Sequence, residues 1–198
     1  MRAAAFLLLA LLAGAAGARA DDDPEAIAPV FLVAHAEMGD PNFAGTVILL
    51  LRRGPSGAMG VIVNRPTHVT LAEALPEEPA LKSREDPLFL GGPVGHEVLL
   101  FACRSTAPLT GARRLFEGVY LGAGTDALHD FLAHSPRASL RVFVGVAGWA
   151  PGQLEDEVEH GDWRLVPADA KSLLDARPQA LWRELDRRAS ATMASASR

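Results

Sequence analysis

The sequence predicts an α+β fold, a largely antiparallel sheet flanked by helices, and two observations carry that reading. The first is a pair of fully apolar runs, Thr46–Leu51 (TVILLL) and Gly60–Val63 (GVIV). Neither shows the apolar/polar alternation of a half-exposed strand, so both faces of each run must be covered. Arg52–Gly57 (RRGPSG) lies between them with the length and the Pro, Ser and Gly content of a hairpin connection. The two runs therefore pair antiparallel. The second observation is the succession of further strand-like runs along the chain, interrupted by short helical patterns that open on a cap or a proline.

Length and composition place all of this in one domain. The 198 residues, 49% hydrophobic and 22% charged, suffice for one sizeable core and give no reason for two. Residues 1–20 stand apart. Arg2, the apolar stretch Ala3–Ala16 and the small-x-small triplet Ala18-Arg19-Ala20 before three aspartates form a secretory signal pattern, with cleavage expected after Ala20. The apolar stretch is shorter than the roughly 20 residues that cross a bilayer, so no stable membrane span is expected after cleavage. The expected organisation is a signal peptide over 1–20, a single domain over 21–188 and a flexible tail over 189–198. From residue 21 onward, 17 Lys plus Arg face 24 Asp plus Glu, a net charge of −7. That charge repels phosphate backbones, which makes nucleic acid an unfavourable partner. Export implies a periplasmic or secreted location, with a small molecule or a protein as partner.

Ala28–Ala34 is the first strand. His35 and Glu37 follow it and would share a face if the strand continued, as a metal or acid/base pair or simply as the polar end of a strand. Asp40-Pro41-Asn42-Phe43 is a turn, since Pro41 excludes helix at Asp40 and an Asp side chain bonds the backbone two residues on. Phe43 anchors it. After the hairpin, Asn64-Arg65-Pro66 ends the second strand. Antiparallel pairing brings Asp40 and Asn42, before the first strand, beside Asn64 and Arg65, after the second. The four are expected to form one polar cluster, with Arg65 donating to Asp40, that either closes the loop or holds a ligand.

Thr70–Leu75 opens on a capping box, Thr70 with Glu73, and Pro76–Asp86 is a charged surface loop. Leu88–Leu90 leads into Gly91-Gly92-Pro93-Val94-Gly95 (GGPVG), which is either a tight turn or a backbone wall that a ligand approaches closely. Glu97–Arg104 is a strand. It carries Cys103, the single cysteine, which no second cysteine can pair and which is expected to be buried and inert. Ser105–Phe116 is expected to be an irregular connection and Val119–Leu121 a strand. Gly122–Ala127 matches the loose G-x-G-x-x-A dinucleotide pattern, but no carboxylate follows about twenty residues on to hold a ribose; a glycine turn into a helix capped by Thr125 explains the letters. Ser139–Val146 is a third buried strand. Pro151 then introduces a helix, with Leu154 and Val158 inward and Glu155, Asp156 and Glu157 near its N-terminus, ending at Gly161. Glu155 and Glu159 lie one turn apart on it, either as a solvated face or as paired acids. Trp163–Val166 is the last strand; Pro167–Leu174 and Pro178–Arg188 are helices. Trp149 is expected to pack near Gly91–Pro93, where small residues accommodate a large ring.

Four ordered motifs, DPNF before an apolar strand, GAMGVIVNRP after the turn, LFLGGPV, and AGWAPGQLEDEV followed by a tryptophan, resemble the YqgE/AlgH family over about Val30–Leu185. The resemblance implies a strongly bent sheet folded partly on itself and flanked by helices. It implies no reaction: members carry the label of transcriptional regulator or of unknown function. They usually start near the first strand and look cytoplasmic, whereas this chain begins with an export pattern. The favoured reading is a non-enzymatic ligand-binding or regulatory module whose pocket takes in Asp40, Asn42, Asn64, Arg65, Gly91, Gly92, Trp149, Gln153 and Glu155. The alternatives are a hydrolase with Asp40 or Glu155 as base and Arg65 holding an anion, and a cytoplasmic transcriptional regulator if the signal is not used. No nucleophile elbow, H-E-x-x-H, phosphate-binding G-x-x-x-x-G-K or paired C-x-x-C occurs, so neither metal nor cofactor is expected.

Overall fold

Neighbouring side chains along the first three strands go to different cores, and this fixes the architecture. The strands are β1 (Ala26–Ala34), β2 (Val47–Gly54) and β3 (Gly57–Ile62). Phe31, Val33, Val47, Leu49, Leu51, Val61 and Val63 enter one cluster, while Leu32, Ala34, Ile48, Leu50, Ala58 and Ile62 enter another. Both faces of the apolar runs are therefore covered, and β2 pairs antiparallel with β3 as expected. The structure, a computed structural model, describes residues 26–196; the expected signal peptide and its cleavage point lie outside the described residues.

The remaining strands are β4 (Pro66–Thr70), β5 (Pro87–Leu90), β6 (Val94–Arg104), β7 (Arg113–Phe116), β8 (Val119–Ala123), β9 (Leu140–Trp149) and β10 (Trp163–Pro167). Their order in the sheet is β10-β1-β2-β3-β9-β6-β8-β7, with β5 on β9 and β4 on β5. The sheet curls into a half-barrel, so that β7 at one edge returns to touch β1 near the other. Almost all pairs are antiparallel; β5 runs parallel to β9. The fold is thus α+β with a bent sheet folded on itself.

Helices cover the three apolar surfaces this creates. Helix α4 (Pro178–Ala196) lays Leu181, Leu185 and Ala189, four residues apart on one helical face, into the interior cluster with Phe31, Leu49 and Phe143. Helix α2 (Thr125–His134) covers the outer face of β6 and β9 with Leu128, Phe131 and Leu132. Helix α3 (Gln153–Glu159) covers the outer face of β1, β2 and β3 with Leu154 and Val158. Helix α1 (Leu71–Ala74) opens on the expected capping box: the Thr70 hydroxyl accepts from Glu73 N–H and the Glu73 carboxylate accepts from Thr70 N–H.

Several boundaries differ from expectation. The connection 105–116 ends in a strand, β7, because Leu115 finds a buried site and Arg113–Phe116 pair with β8. Pro66 ends one strand but also begins another, the first-residue position at which a missing N–H costs nothing. The loop 76–86 contains a 3-10 turn, Pro79–Leu81, whose Leu81 is fully buried. Gly124, not Thr125, caps α2. The helix expected over 167–174 is only a π-helical turn, Lys171–Asp175, because β10 runs on through Pro167 against Val30. The tail expected to be flexible from 189 is helical through Ala196, since burial of Ala189 holds the next turn of α4 on the core. Beyond β1, His35 and Glu37 do not share a strand face: the His35 ring Nδ1 accepts from Glu37 N–H in a turn.

Candidate functional site

At the open end of the hairpin Asp40, Asn64 and Arg65 bond backbone groups rather than one another, unlike the connected cluster expected. The Asn64 side chain, just past β3, holds the entry of β2: its Oδ1 accepts from Val47 N–H at 2.8 Å and its Nδ2 donates to the Gly45 carbonyl at 3.0 Å. Arg65 reaches across to the carbonyls of Pro41 and Ala44, at 3.3 and 3.5 Å. Its own carbonyl accepts from Leu90 N–H at the start of the glycine turn. Asp40 is not in an ion pair with Arg65; it accepts from Asn42 N–H at 2.7 Å, the expected side-chain turn. Burial lowers the Arg65 pKa, and the nearby Asp40 charge opposes that shift. Each of these bonds runs to backbone, and none joins two of the four side chains.

The glycine turn lies against β9 with no room between. A Cβ on Gly92 would stand 2.0 Å from the Val146 carbonyl carbon, and one on Gly91 would stand 2.3 Å from the Gly145 oxygen. Gly145 itself has φ +75° and faces the Gly92 oxygen, so three glycines let two backbones cross in direct contact. Gly91 N–H donates to Val144 and its carbonyl accepts from Ile62 N–H, which wedges the turn between β3 and β9. Both Gly91 and Gly92 are buried, and what they approach closely is β9.

Trp149 packs among aromatic rings. Its ring stacks on Phe43 at 6.3 Å and meets Trp163 edge-on at 6.0 Å. Phe43 also meets Trp163, at 5.7 Å, so the loop that Asn64 and Arg65 close carries an aromatic ring onto both indoles. Both indole N–H groups donate to Oε2 of Glu157, each at 2.8 Å, and Gln153 Nε2 donates to Oε1 at 2.8 Å. Gln153 Oε1 in turn accepts from Ala150 N–H. Glu157, the centre of this arrangement, reads in the sequence only as an acid near a helix N-terminus; the further signal is its place one helical turn after Gln153 and on the same face. Glu155 points elsewhere. It pairs with Arg53 at 2.6 Å, and that hydrogen bond lowers its pKa.

The AlgH-like family model matches residues 31–194. The chain belongs to the AlgH-like family. A UPF0301 protein of Anaeromyxobacter dehalogenans is 36% identical over 177 residues, covering 84% of this chain and 90% of that protein. One of Streptomyces coelicolor is 38% identical over 164 residues, covering 79% and 83%. The solution structure of AlgH from Pseudomonas aeruginosa aligns with a TM-score of 0.66 at 28% identity, over 85% of this chain and 89% of that one. A crystal structure of a Corynebacterium diphtheriae protein aligns at 0.68 and 26%, over 84% and 88%.

In this AlgH-like fold the motif residues therefore tie elements together: Asn64 and Arg65 hold the loop 40–46, the glycines seat β5 on β9, and Glu157 joins the two indoles. Cys103 is fully buried, and burial pushes its thiol pKa up to about 12, so it is held as the thiol rather than the nucleophilic thiolate. Buried Arg141 on β9 donates to the carbonyls of Val63 and Ala176 and lies 5.2 Å over the Phe89 ring, which ties the π-helical turn to the sheet. Burial lowers its pKa to about 10. His129 on α2 donates its Nδ1–H to the Glu78 carboxylate, 2.7 Å away.

Proposed function

We propose that this AlgH-like protein is a non-enzymatic binding or regulatory module that works outside the cytoplasm. The observation that carries the reading is the engagement of its motif side chains within the scaffold. Asn64 has both ends of its amide bonded, and the Glu157 carboxylate takes three N–H donors. The two carboxylates weighed as general bases are engaged as well: Glu155 is held ionised by Arg53, and Asp40 caps the turn at Asn42. The lowered pKa makes Glu155 a weak base near neutral pH. The export part of the proposal rests on the tripartite pattern of residues 1–20, and the net charge of −7 from residue 21 onward argues against a nucleic-acid partner.

Native mass spectrometry of the protein purified from an envelope fraction tests both parts. A mass beginning at Asp21, with a stoichiometric small molecule or protein partner that is not turned over, is the expected result. Full-length chain in the cytosol would overturn the location, and turnover of the bound molecule would overturn the non-enzymatic reading.

A further inference from the structure

Away from the family motifs, a cleft of about 470 Å³ opens between the end of α1, with the loop that follows it, and the first turns of α2. Its volume is in the range of about 300–1,000 Å³ that small-molecule sites occupy. Leu75, Pro76 and the buried Leu128 form its apolar wall, while Glu77, Glu78, Asp126 and His129 form its polar rim. Glu78 is engaged twice, by Ala80 N–H and by His129. Glu77 and Asp126 are different: among the described residues neither side chain makes a hydrogen bond or a salt bridge. Asn64 and Glu157 spend their polar atoms on the fold itself, whereas this cleft presents unbonded carboxylates beside an apolar wall.

The charge balance selects the ligand. Three carboxylates face one imidazole, and Asp130 lies one residue beyond it on α2. The N-terminus of α2 contributes about half a positive charge, which Asp126 in its first turn offsets. The net field is negative, so anions are repelled. A bare metal ion would gain nothing from Leu75, Pro76 and Leu128, whereas an ammonium on an apolar body meets both halves of the lining. We propose that this cleft binds an organic cation, its apolar part on Leu75, Pro76 and Leu128 and its charge toward Glu77 and Asp126. The proposal deepens the binding-module reading and rests on it.

Titration of the isotopically labelled protein with hexylamine, hexanol and hexanoate, followed by amide NMR shifts, tests it. Hexylamine is expected to shift residues 75–78 and 125–129, more weakly at high salt, while hexanoate shifts nothing there. The double variant Glu77→Gln, Asp126→Asn changes two exposed side chains that make no hydrogen bond or salt bridge among the described residues, and it should weaken hexylamine binding by about tenfold. Equal binding of hexanol and hexylamine would overturn the cationic ligand, and hexylamine shifts spread over all surface carboxylates would overturn the site. If hexylamine leaves the cleft unmoved while native mass spectrometry finds a molecule bound elsewhere, the cleft proposal falls and the binding-module reading stands; if nothing binds in either experiment, both fall.

Discussion

Trp149 and Trp163 donate their indole N–H groups to the same oxygen, Oε2 of Glu157, each at 2.8 Å. The two rings come from different strands, β9 and β10, and are 3% and 2% exposed, so water has little access to either N–H. An unsatisfied buried donor costs about 1–3 kcal/mol. Glu157→Ala, which abandons two of them, is expected to lower stability by about 2–5 kcal/mol, and Glu157→Gln, which keeps one acceptor oxygen, by roughly half as much. Urea unfolding followed by tryptophan fluorescence measures both.

The open end of the hairpin predicts a different ranking from the one its charges suggest. Asn64 links Val47 to Gly45 from a half-buried position, and Asn64→Ala is expected to cost about 1–3 kcal/mol. Asp40 is exposed and caps one N–H, so Asp40→Ala should cost under about 1 kcal/mol. Thermal melts of the two variants check the order; a larger loss for Asp40 would restore an Asp40–Arg65 pair as the keystone of the loop.

Gly92→Ala would put a methyl 2.0 and 2.1 Å from the carbonyl carbon and oxygen of Val146. Those are backbone atoms in the middle of the sheet and cannot swing aside, so the expected loss is about 3 kcal/mol or more. Gly39→Ala meets nothing within 4 Å and should stay within about 0.5 kcal/mol of the parent. Comparing denaturation midpoints of the two variants separates a packing requirement from a general intolerance of added side chains.

His129 is exposed, and its hydrogen bond to Glu78 raises its pKa, with the charges of Glu78, Asp130 and Asp126 adding to the shift and desolvation opposing it. A raised folded-state value means the imidazolium form is favoured by folding. Its contribution to stability is therefore fully present below the unfolded value, near pH 6.5, and is lost as pH rises through the folded value. An NMR titration should place the His129 midpoint above that of an unstructured histidine, and Glu78→Gln should bring it down toward the ordinary value.

What could be read from sequence was what is local or twofold-buried. The Thr70–Glu73 capping box, the Asp40 turn and the apolar runs of β2, β3 and β9 announce themselves within a few residues, because caps, turns and burial patterns act over that distance. Strand β7 did not, since a single buried Leu115 between Arg114 and a half-buried Phe116 carries no period. The last turns of α4 did not either: an Ala- and Ser-rich stretch has little burial signal of its own, and what holds it is the seat of Ala189 on the interior core. The family motifs said nothing of the partners their side chains take. That Gly92 meets Val146, or that one glutamate serves two tryptophans, depends on pairings between segments far apart in the chain, such as the parallel contact of β5 with β9.

One pairing bears on how the chain reaches this state. Strand β1 lies between β2 and β10, and its register sets Ala34 against Trp163 and Val30 against Pro167. Its second neighbour is thus made more than a hundred residues later, so a chain lengthening from its N-terminus carries Phe31–Ala34 with one edge open until most of the protein exists. Contacts of such long range form slowly, and an apolar strand with a free edge is the template on which foreign chains pair. The time between synthesis of β1 and arrival of β10 is the interval in which this protein depends most on whatever keeps nascent chains apart.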